Sequence, residues 1–301
     1  MQNISSLISF CKENKYMYEE NAIMKNHTTF KVGGIADIIV EPSSEKDIID
    51  ILEFNKKNAI ETLVMGNGSN ILVSDNGIRG CVIALGKNIS SIKLLDETTI
   101  YAEAGASLSA LCNFALEQSL TGLEFSFGIP GTVGGAIRMN AGAYGGEVKD
   151  VIFSSSCVSE NGIVSTLSLD EMQMSYRNSI FCKNNCIITS GIFKLTKGDK
   201  CEIKSKMTEL INKRKEKQPL EYPNAGSTFK RPDGAYASEL IDRCGLKGYC
   251  IGDACVSEKH AGFVVNKGNA TSEDVTLLID YVKKIVKEKT GYSLETEIII
   301  L

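Results

Sequence analysis

Between positions 128 and 146 the chain reads GIPGTVGGAIRMNAGAYGG, and 7 of these 19 residues are glycine. Glycine serves where backbone turns with positive φ or closely approaches another group, so such a run makes a backbone-lined surface. A shorter run, GNGSN at 66–70, lies between two apolar strand-like segments, 62–65 and 71–73. Two glycine-rich turns offering N–H groups and small hydroxyls suit a pyrophosphate, and they equally suit two plain tight turns. The standard nucleotide fingerprints are missing. GNGSNI has Ile71 where GxGxxG requires a third glycine, and no GxxxxGK[ST] loop occurs.

A length of 301 residues suggests about two domains with a sizeable buried core. The chain is 43% hydrophobic and 23% charged with net charge −4, which leaves no basic footprint for nucleic acid. The opening MQNISSLISFCKENKYMYEEN is too short in apolar run and too mixed in charge for a signal peptide or a membrane span. The cytoplasm is the expected compartment. Ten cysteines, at 11, 81, 112, 157, 182, 186, 201, 244, 250 and 255, are spread too widely for a disulfide scaffold and read mostly as reduced core residues. Cys182 with Cys186 and Cys250 with Cys255 have the wrong gaps for a zinc knuckle, and His27 and His260 are the only histidines, so no metal site is expected.

No repeat or linker divides the chain, so contiguous domains are expected, closely packed. The stretch 44–56 opens on a serine cap and places Ile48, Ile51, Leu52 and Asn55 on one helical face, following a strand at 36–41. Residues 107–117 repeat that logic with Leu108, Leu111, Cys112 and Ala115. Four short strands are expected between 148 and 196, at 151–153, 156–159, 162–167 and 186–195. A helix over 201–217 carries Ile203, Met207, Leu210 and Ile211, continued by Arg214, and ends at Pro219. Another begins at a capping signal, 271–274, with Val275, Leu278, Ile279, Val282, Ile285 and Val286 inward and Gly291 as its stop. The last segment, 292–300, reads as a strand with Glu295 and Glu297 on one face and Leu294, Ile298 and Ile300 on the other. Strands and helices mix without a strict βαβ rhythm, which argues for an α+β fold.

GNGSN, the long glycine run, SYRNS at 175–179, NAGSTFKRP at 224–232 and LETE at 294–297 occur in one order, and together they resemble the UDP-N-acetylenolpyruvoylglucosamine reductase family. The resemblance runs from HTTFKVGGIAD near residue 27 to the C-terminus. It implies an FAD-binding half of the vanillyl-alcohol-oxidase type in two subdomains, 1–90 and 91–198, followed by a substrate-binding domain, 199–301. By that resemblance Gly66, Asn67, Gly68, Ser69 and Asn70, with Gly128, Ile129, Pro130, Gly131, Thr132, Gly134 and Gly135, would cradle the FAD pyrophosphate. Asn140 and Gly142 would lie beside the cofactor. NADPH would reduce FAD and leave, and UDP-N-acetylglucosamine enolpyruvate would then take the hydride, giving UDP-N-acetylmuramate for peptidoglycan.

Reduction of a double bond conjugated to a carboxylate builds enolate-like charge, which calls for a cation or hydrogen-bond donor and an acid. The positions matching the family's stabilising arginine, its serine proton donor and its enol-stabilising glutamate are Arg177, Ser227 and Glu297. Each also suits a plain role: a surface ion pair, a turn after Gly226 and a solvated strand face. Tyr176 and Lys217 match positions near the substrate's diphosphate and sugar; otherwise they are a core aromatic and a solvated helix end.

Arg231 departs from the family, standing where it often has a substrate-contacting asparagine, and either contacts the substrate's phosphates or turns outward. The ending IleIleIleLeu departs too, and the short span between SYRNS and NAGS resembles the loopless second type. A monomer or weak oligomer without nucleic-acid or membrane partners is expected. The alternatives are an FAD oxidase on the same cofactor fold and a non-catalytic flavin or sugar-nucleotide binding module.

Overall fold

The computed structural model describes residues 4–301, and the chain folds into two compact units. The first comprises the chain up to residue 20, then 37–67 and 80–213; the second comprises 21–36, 68–79 and 214–301.

The first unit is built on two sheets. Strands β1 (Met17–Ile23), β2 (Ile35–Glu41), β3 (Thr62–Met65) and β5 (Ile78–Ala84) form a four-stranded sheet in the order β1-β2-β5-β3, and β4 (Ile71–Leu72) falls outside it. The β3–β5 pair is parallel and is joined by the crossover 66–77, which carries β4, while α2 (Glu45–Lys57) joins β2 to β3. Its start is set by Ser44, which accepts from Asp47 N at 3.1 Å. Ile48, Ile51, Leu52 and Asn55 are its buried residues, the face the periodicity marked.

The second sheet contains β6 (Ile92–Leu94) and β7 (Thr99–Glu103) and three later strands, Ile152–Val158, Val164–Ser168 and Ile187–Lys194. All its pairings are antiparallel. The two separate strands expected at 151–153 and 156–159 are one strand. Register shifts between Ile152 and Ser154 and between Ser156 and Cys157 absorb the interruption, so a local break in apolar pattern became an irregularity inside the strand.

Helix α3 (Leu108–Glu117), capped by Ser107 on Ala110 N at 3.1 Å, buries Leu108, Leu111, Cys112 and Ala115. The short α4 (Val133–Arg138) buries Val133, Ala136 and Ile137 in the same core, joined by Leu7 and Cys11 of α1 (Ile4–Asn14) and by Ile203 and Met207 of α5 (Lys200–Lys217).

The second unit has its own core of Phe30, Val32, Leu72, Leu240, Ile241, Val275, Leu278, Ile279 and Val282. These come from β4, α6 (Ala237–Arg243), α7 (Ser272–Thr290) and the loops around them. A three-stranded antiparallel sheet, Cys250–Ile251, Ala254–Val256 and Val264–Asn266, completes it. Thr271 and Asp274 form the capping box that starts α7. Contiguous boundaries at 90 and 198 do not describe this grouping. Gly34 N bonds Ser74 O at 2.9 Å, Asp75 Oδ2 accepts from Ser272 N at 2.8 Å, and Thr29 Oγ1 bonds Asn224 O at 2.7 Å, so two early segments belong with the C-terminal third.

Two further expectations are corrected. Only Ile299–Ile300 of the last segment is regular strand, paired in parallel with β4, and Ile300 is 47% exposed. The preceding residues bond instead to 228–230: Lys230 N to Glu295 O at 2.9 Å and Glu297 N to Thr228 O at 2.8 Å. The backbone changes partner midway, so the simple alternation fails at its end. Cys250 and Cys255 form a disulfide, because a turn at Gly252 and Asp253 sets them directly opposite in antiparallel register with Cα atoms 4.1 Å apart. The other eight cysteines are free, and five of them are buried. Among the described residues no three metal-binding side chains cluster.

Candidate active site

The residues singled out from sequence fall into two sets, one in each unit. In the first unit the two glycine-rich turns come together. Asn67 Nδ2 bonds Pro130 O at 3.4 Å, and a Cβ added at Gly66 would meet Thr132 Cγ2 at 3.0 Å with Oγ1 nearer still. Thr132 is buried and caps α4, accepting from Gly135 N at 3.3 Å. Ile129 N bonds Ser126 O, Leu108 N bonds Gly131 O at 3.1 Å, and Gly134 N bonds Ala104 O at 2.8 Å, so the loop is tied to α3 and to the end of β7. Pro130 and Gly135 remain exposed. The result is a glycine-lined surface tied down from behind and open in front, with the two turns so close that a side chain at Gly66 would collide with Thr132. It fits the phosphates of a dinucleotide.

Past α4 the glycine run continues into a buried polar cluster. Asn140, with φ +40°, donates to Glu147 Oε2 at 2.6 Å and to Ser175 O at 2.9 Å, and accepts from Lys149 N at 2.9 Å. Ser175 begins the SYRNS turn, whose far end is held by Ser179 Oγ donating to Arg138 O at 2.6 Å. Arg177 has φ +51° and donates from Nη2 to Gly142 O at 3.0 Å, with its guanidinium carbon 5.0 Å from the Tyr176 ring centroid. Tyr176 is 44% exposed, which excludes the core-aromatic role.

The second unit gathers Gly68, Ser69, Asn70, Ser227 and Glu297. Thr29 N bonds Gly68 O at 3.2 Å, Asn70 Nδ2 bonds Glu297 O at 3.3 Å, and Ile299 N bonds Asn70 O at 2.9 Å. Ser227 lies beyond a turn in which Gly226 N donates to Asn224 Oδ1 at 2.9 Å. Its neighbour Thr228 is buried: the Thr228 N–H donates to Gly262 O at 2.8 Å, Oγ1 accepts from Val264 N at 2.9 Å, and its carbonyl accepts from Glu297 N. Ser227 and Glu297 therefore stand on adjoining extended segments. Thr228, which joins them, was inside the NAGSTF motif but had no role in the sequence reading.

His260 belongs to the turn behind Thr228. Its Nδ1 accepts from Gly262 N at 3.2 Å and its ring meets Phe263 edge-on. Burial, with a contribution from Lys247, holds the imidazole below its ordinary pKa. Lys217 is exposed at the end of α5, and Arg231 is exposed with its guanidinium carbon 4.6 Å from the Tyr236 ring centroid.

The glycine-lined surface lies within residues 36–168, which match the family model described as FAD binding domain, and this match defines the class, a flavin-dependent oxidoreductase. Residues 218–301 match a second, the UDP-N-acetylenolpyruvoylglucosamine reductase C-terminal domain. The chain is 50% identical to the UDP-N-acetylenolpyruvoylglucosamine reductase of Caldanaerobacter subterraneus over 99% of its length and 97% of that protein's. It is 49% identical to the one from Clostridium novyi over 96% and 93%. The crystal structure of the Thermus caldophilus reductase superposes with a TM-score of 0.82 at 33% identity, covering 95% of this chain and 99% of that one. The chain belongs to the UDP-N-acetylenolpyruvoylglucosamine reductase family.

Proposed function

We propose that this protein reduces the enolpyruvyl group of UDP-N-acetylglucosamine enolpyruvate to the lactyl ether of UDP-N-acetylmuramate in peptidoglycan synthesis, with NADPH as the electron source. FAD, when bound, supplies the hydride chemistry that no side chain provides. Gly66, Asn67, Gly68, Ser69 and Asn70, with Gly128, Ile129, Pro130, Gly131, Thr132, Gly134 and Gly135, hold its pyrophosphate, and Asn140 and Gly142 shape the wall beside it.

The observation that carries the reading is the pairing of NAGSTF with LETE: the Thr228–Glu297 backbone bond holds a hydroxyl and a carboxylate on adjoining rigid backbone. Hydride addition to the terminal carbon leaves charge on the substrate carboxylate and demands a proton at the neighbouring carbon. Arg177 stabilises that charge, and its anchor on Gly142 O makes it a preorganised donor. Ser227 delivers the proton, and Glu297 stabilises the enol. Serine is a weak acid in water, so the site must polarise it and resupply its proton. Tyr176, Lys217 and Arg231 bind the sugar nucleotide, Arg231 in the place the family often gives to asparagine.

The reaction is assigned to the cytoplasm and to a monomer or weak oligomer, on the sequence reading. Among the described residues no helix is long and apolar enough to cross a membrane.

The test is anaerobic. Bound flavin is bleached with NADPH, UDP-N-acetylglucosamine enolpyruvate is added, and the yellow colour is expected to return at once. No return refutes the assignment, and rapid recolouring by air alone points to an oxidase.

A further inference from the structure

The cluster around Asn140 contains a carboxylate that the proposed chemistry does not use. Glu147 is the register partner of Gly142 in a two-residue antiparallel ladder. Its Oε2 receives the 2.6 Å bond from Asn140, and its side chain also accepts from the backbone of Asp150. The side chain lies against the face of Gly142: a Cβ there would meet Glu147 Cγ at 2.8 Å and Gly146 O at 2.7 Å. Gly142 O is the acceptor for Arg177, and Ser175 O, two residues before Arg177, is the second acceptor for Asn140.

The amide of Asn140 is fully engaged. Both its donor bonds and its acceptor bond go to protein atoms, and the residue is wholly buried. Its side chain therefore holds loops together and contributes to any ligand only through them. Glu147 reaches Arg177 by two routes, through Asn140 to the Ser175 carbonyl and through packing on Gly142 to the carbonyl that receives the guanidinium. A residue with positive φ, such as Arg177, depends on such external bonds, because its own backbone preference opposes the conformation.

We propose that Glu147, acting through Asn140 and Gly142, is a positioning residue for Arg177, setting where the guanidinium is presented during substrate reduction. This rests on the reading of Arg177 as the group that stabilises charge on the substrate. The 2.6 Å contact is a charge-assisted bond from a buried amide to the carboxylate of half-buried Glu147, the kind that fixes a loop's register more firmly than a neutral one. It also explains why a glycine stands at 142: any side chain there would displace the Glu147 strut.

The experiment uses holoenzyme variants and anaerobic stopped-flow absorbance of both half-reactions. Glu147→Ala is expected to leave flavin reduction by NADPH within twofold of the parent and to slow reoxidation by UDP-N-acetylglucosamine enolpyruvate by roughly 10- to 100-fold, the loss being in the rate at saturating substrate. Glu147→Gln retains an oxygen that accepts from Asn140 and is expected to restore most of that rate. Arg177→Ala combined with Glu147→Ala is expected to be no slower than Arg177→Ala alone, because the strut acts through the arginine.

Multiplying effects in the double variant, or equal slowing of both half-reactions by Glu147→Ala, would overturn the proposal. If Glu147→Ala does not fold, Glu147→Asp keeps the charge but withdraws it from Asn140, and the same comparison with Arg177→Ala decides. A slow Arg177→Ala beside a full-rate Glu147→Ala overturns the positioning role alone. A full-rate Arg177→Ala removes the reading of Arg177, and the positioning role falls with it.

Discussion

Replacing Gly66 by alanine tests whether the two glycine turns form one surface. Gly66 does not occupy the left-handed region, so alanine is conformationally acceptable there, and loss of unfolded-state freedom alone would favour it by about 0.4–1 kcal/mol. Packing decides the opposite sign. The new methyl would lie 3.0 Å from Thr132 Cγ2 and 3.2 Å from its Cβ, and Thr132 is buried, so it must rotate or push back. Overpacking of that kind costs about 1–3 kcal/mol, and rotation of Thr132 also forfeits its cap on Gly135 N, about 1 kcal/mol more. The net expectation is a loss of about 2–3 kcal/mol, which for a chain of 301 residues lowers Tm by roughly 3–5 °C.

Thr132→Ala alone removes the cap and a buried methyl, about 2 kcal/mol. In the double variant the methyl at 66 moves into the space Thr132 vacates. The two losses are then expected to fall short of their sum by at least about 1 kcal/mol. Thermal unfolding of the four holoproteins, followed by release of flavin fluorescence, measures the cycle. Strict additivity, or a neutral Gly66→Ala, would refute the contact between the turns.

Ser227→Ala is expected to leave bleaching of the flavin by NADPH intact while slowing recolouring by the enolpyruvyl substrate by about 10² to 10⁴; an unchanged second phase removes Ser227 from proton delivery. A separate prediction concerns His260, whose depressed pKa means that the unfolded chain binds a proton the folded chain refuses as pH falls below about 6.5. Stability is therefore present above that value and lost on the acid side. His260→Asn, whose side-chain oxygen can still accept from Gly262 N, is expected to flatten the decline of Tm between about pH 7.5 and 5.5; an unchanged slope assigns that decline to other groups.

Local physics made much of this chain legible. Ser44 and Ser107 were visible as caps, and the faces of α2, α3 and α7 followed from spacing, because a helix records its buried side every three or four residues. The ordered motifs named the family and its candidate residues. Less legible were the strand at 152–158, the end of the chain and the pairing of Cys250 with Cys255, since each depends on which backbone lies alongside. Glu147 left only a faint signal, an acid following the glycine run; nothing local tells a carboxylate that holds Asn140 from one in solvent.

The sequence by itself determined helices α2, α3, α5 and α7, the glycine-rich character of the two turns and the chemistry available from an arginine, a serine and a glutamate. Those are properties of residues and their near neighbours. Tertiary structure alone decided that Thr228 holds Glu297 beside the segment of Ser227, and that 21–36 and 68–79 belong with the C-terminal third. It also decided that Arg177 hangs from the carbonyl of Gly142. Hydrogen bonds between residues tens to hundreds of positions apart leave no periodicity in the chain, because their partners become neighbours only when the cores on which they rest have formed.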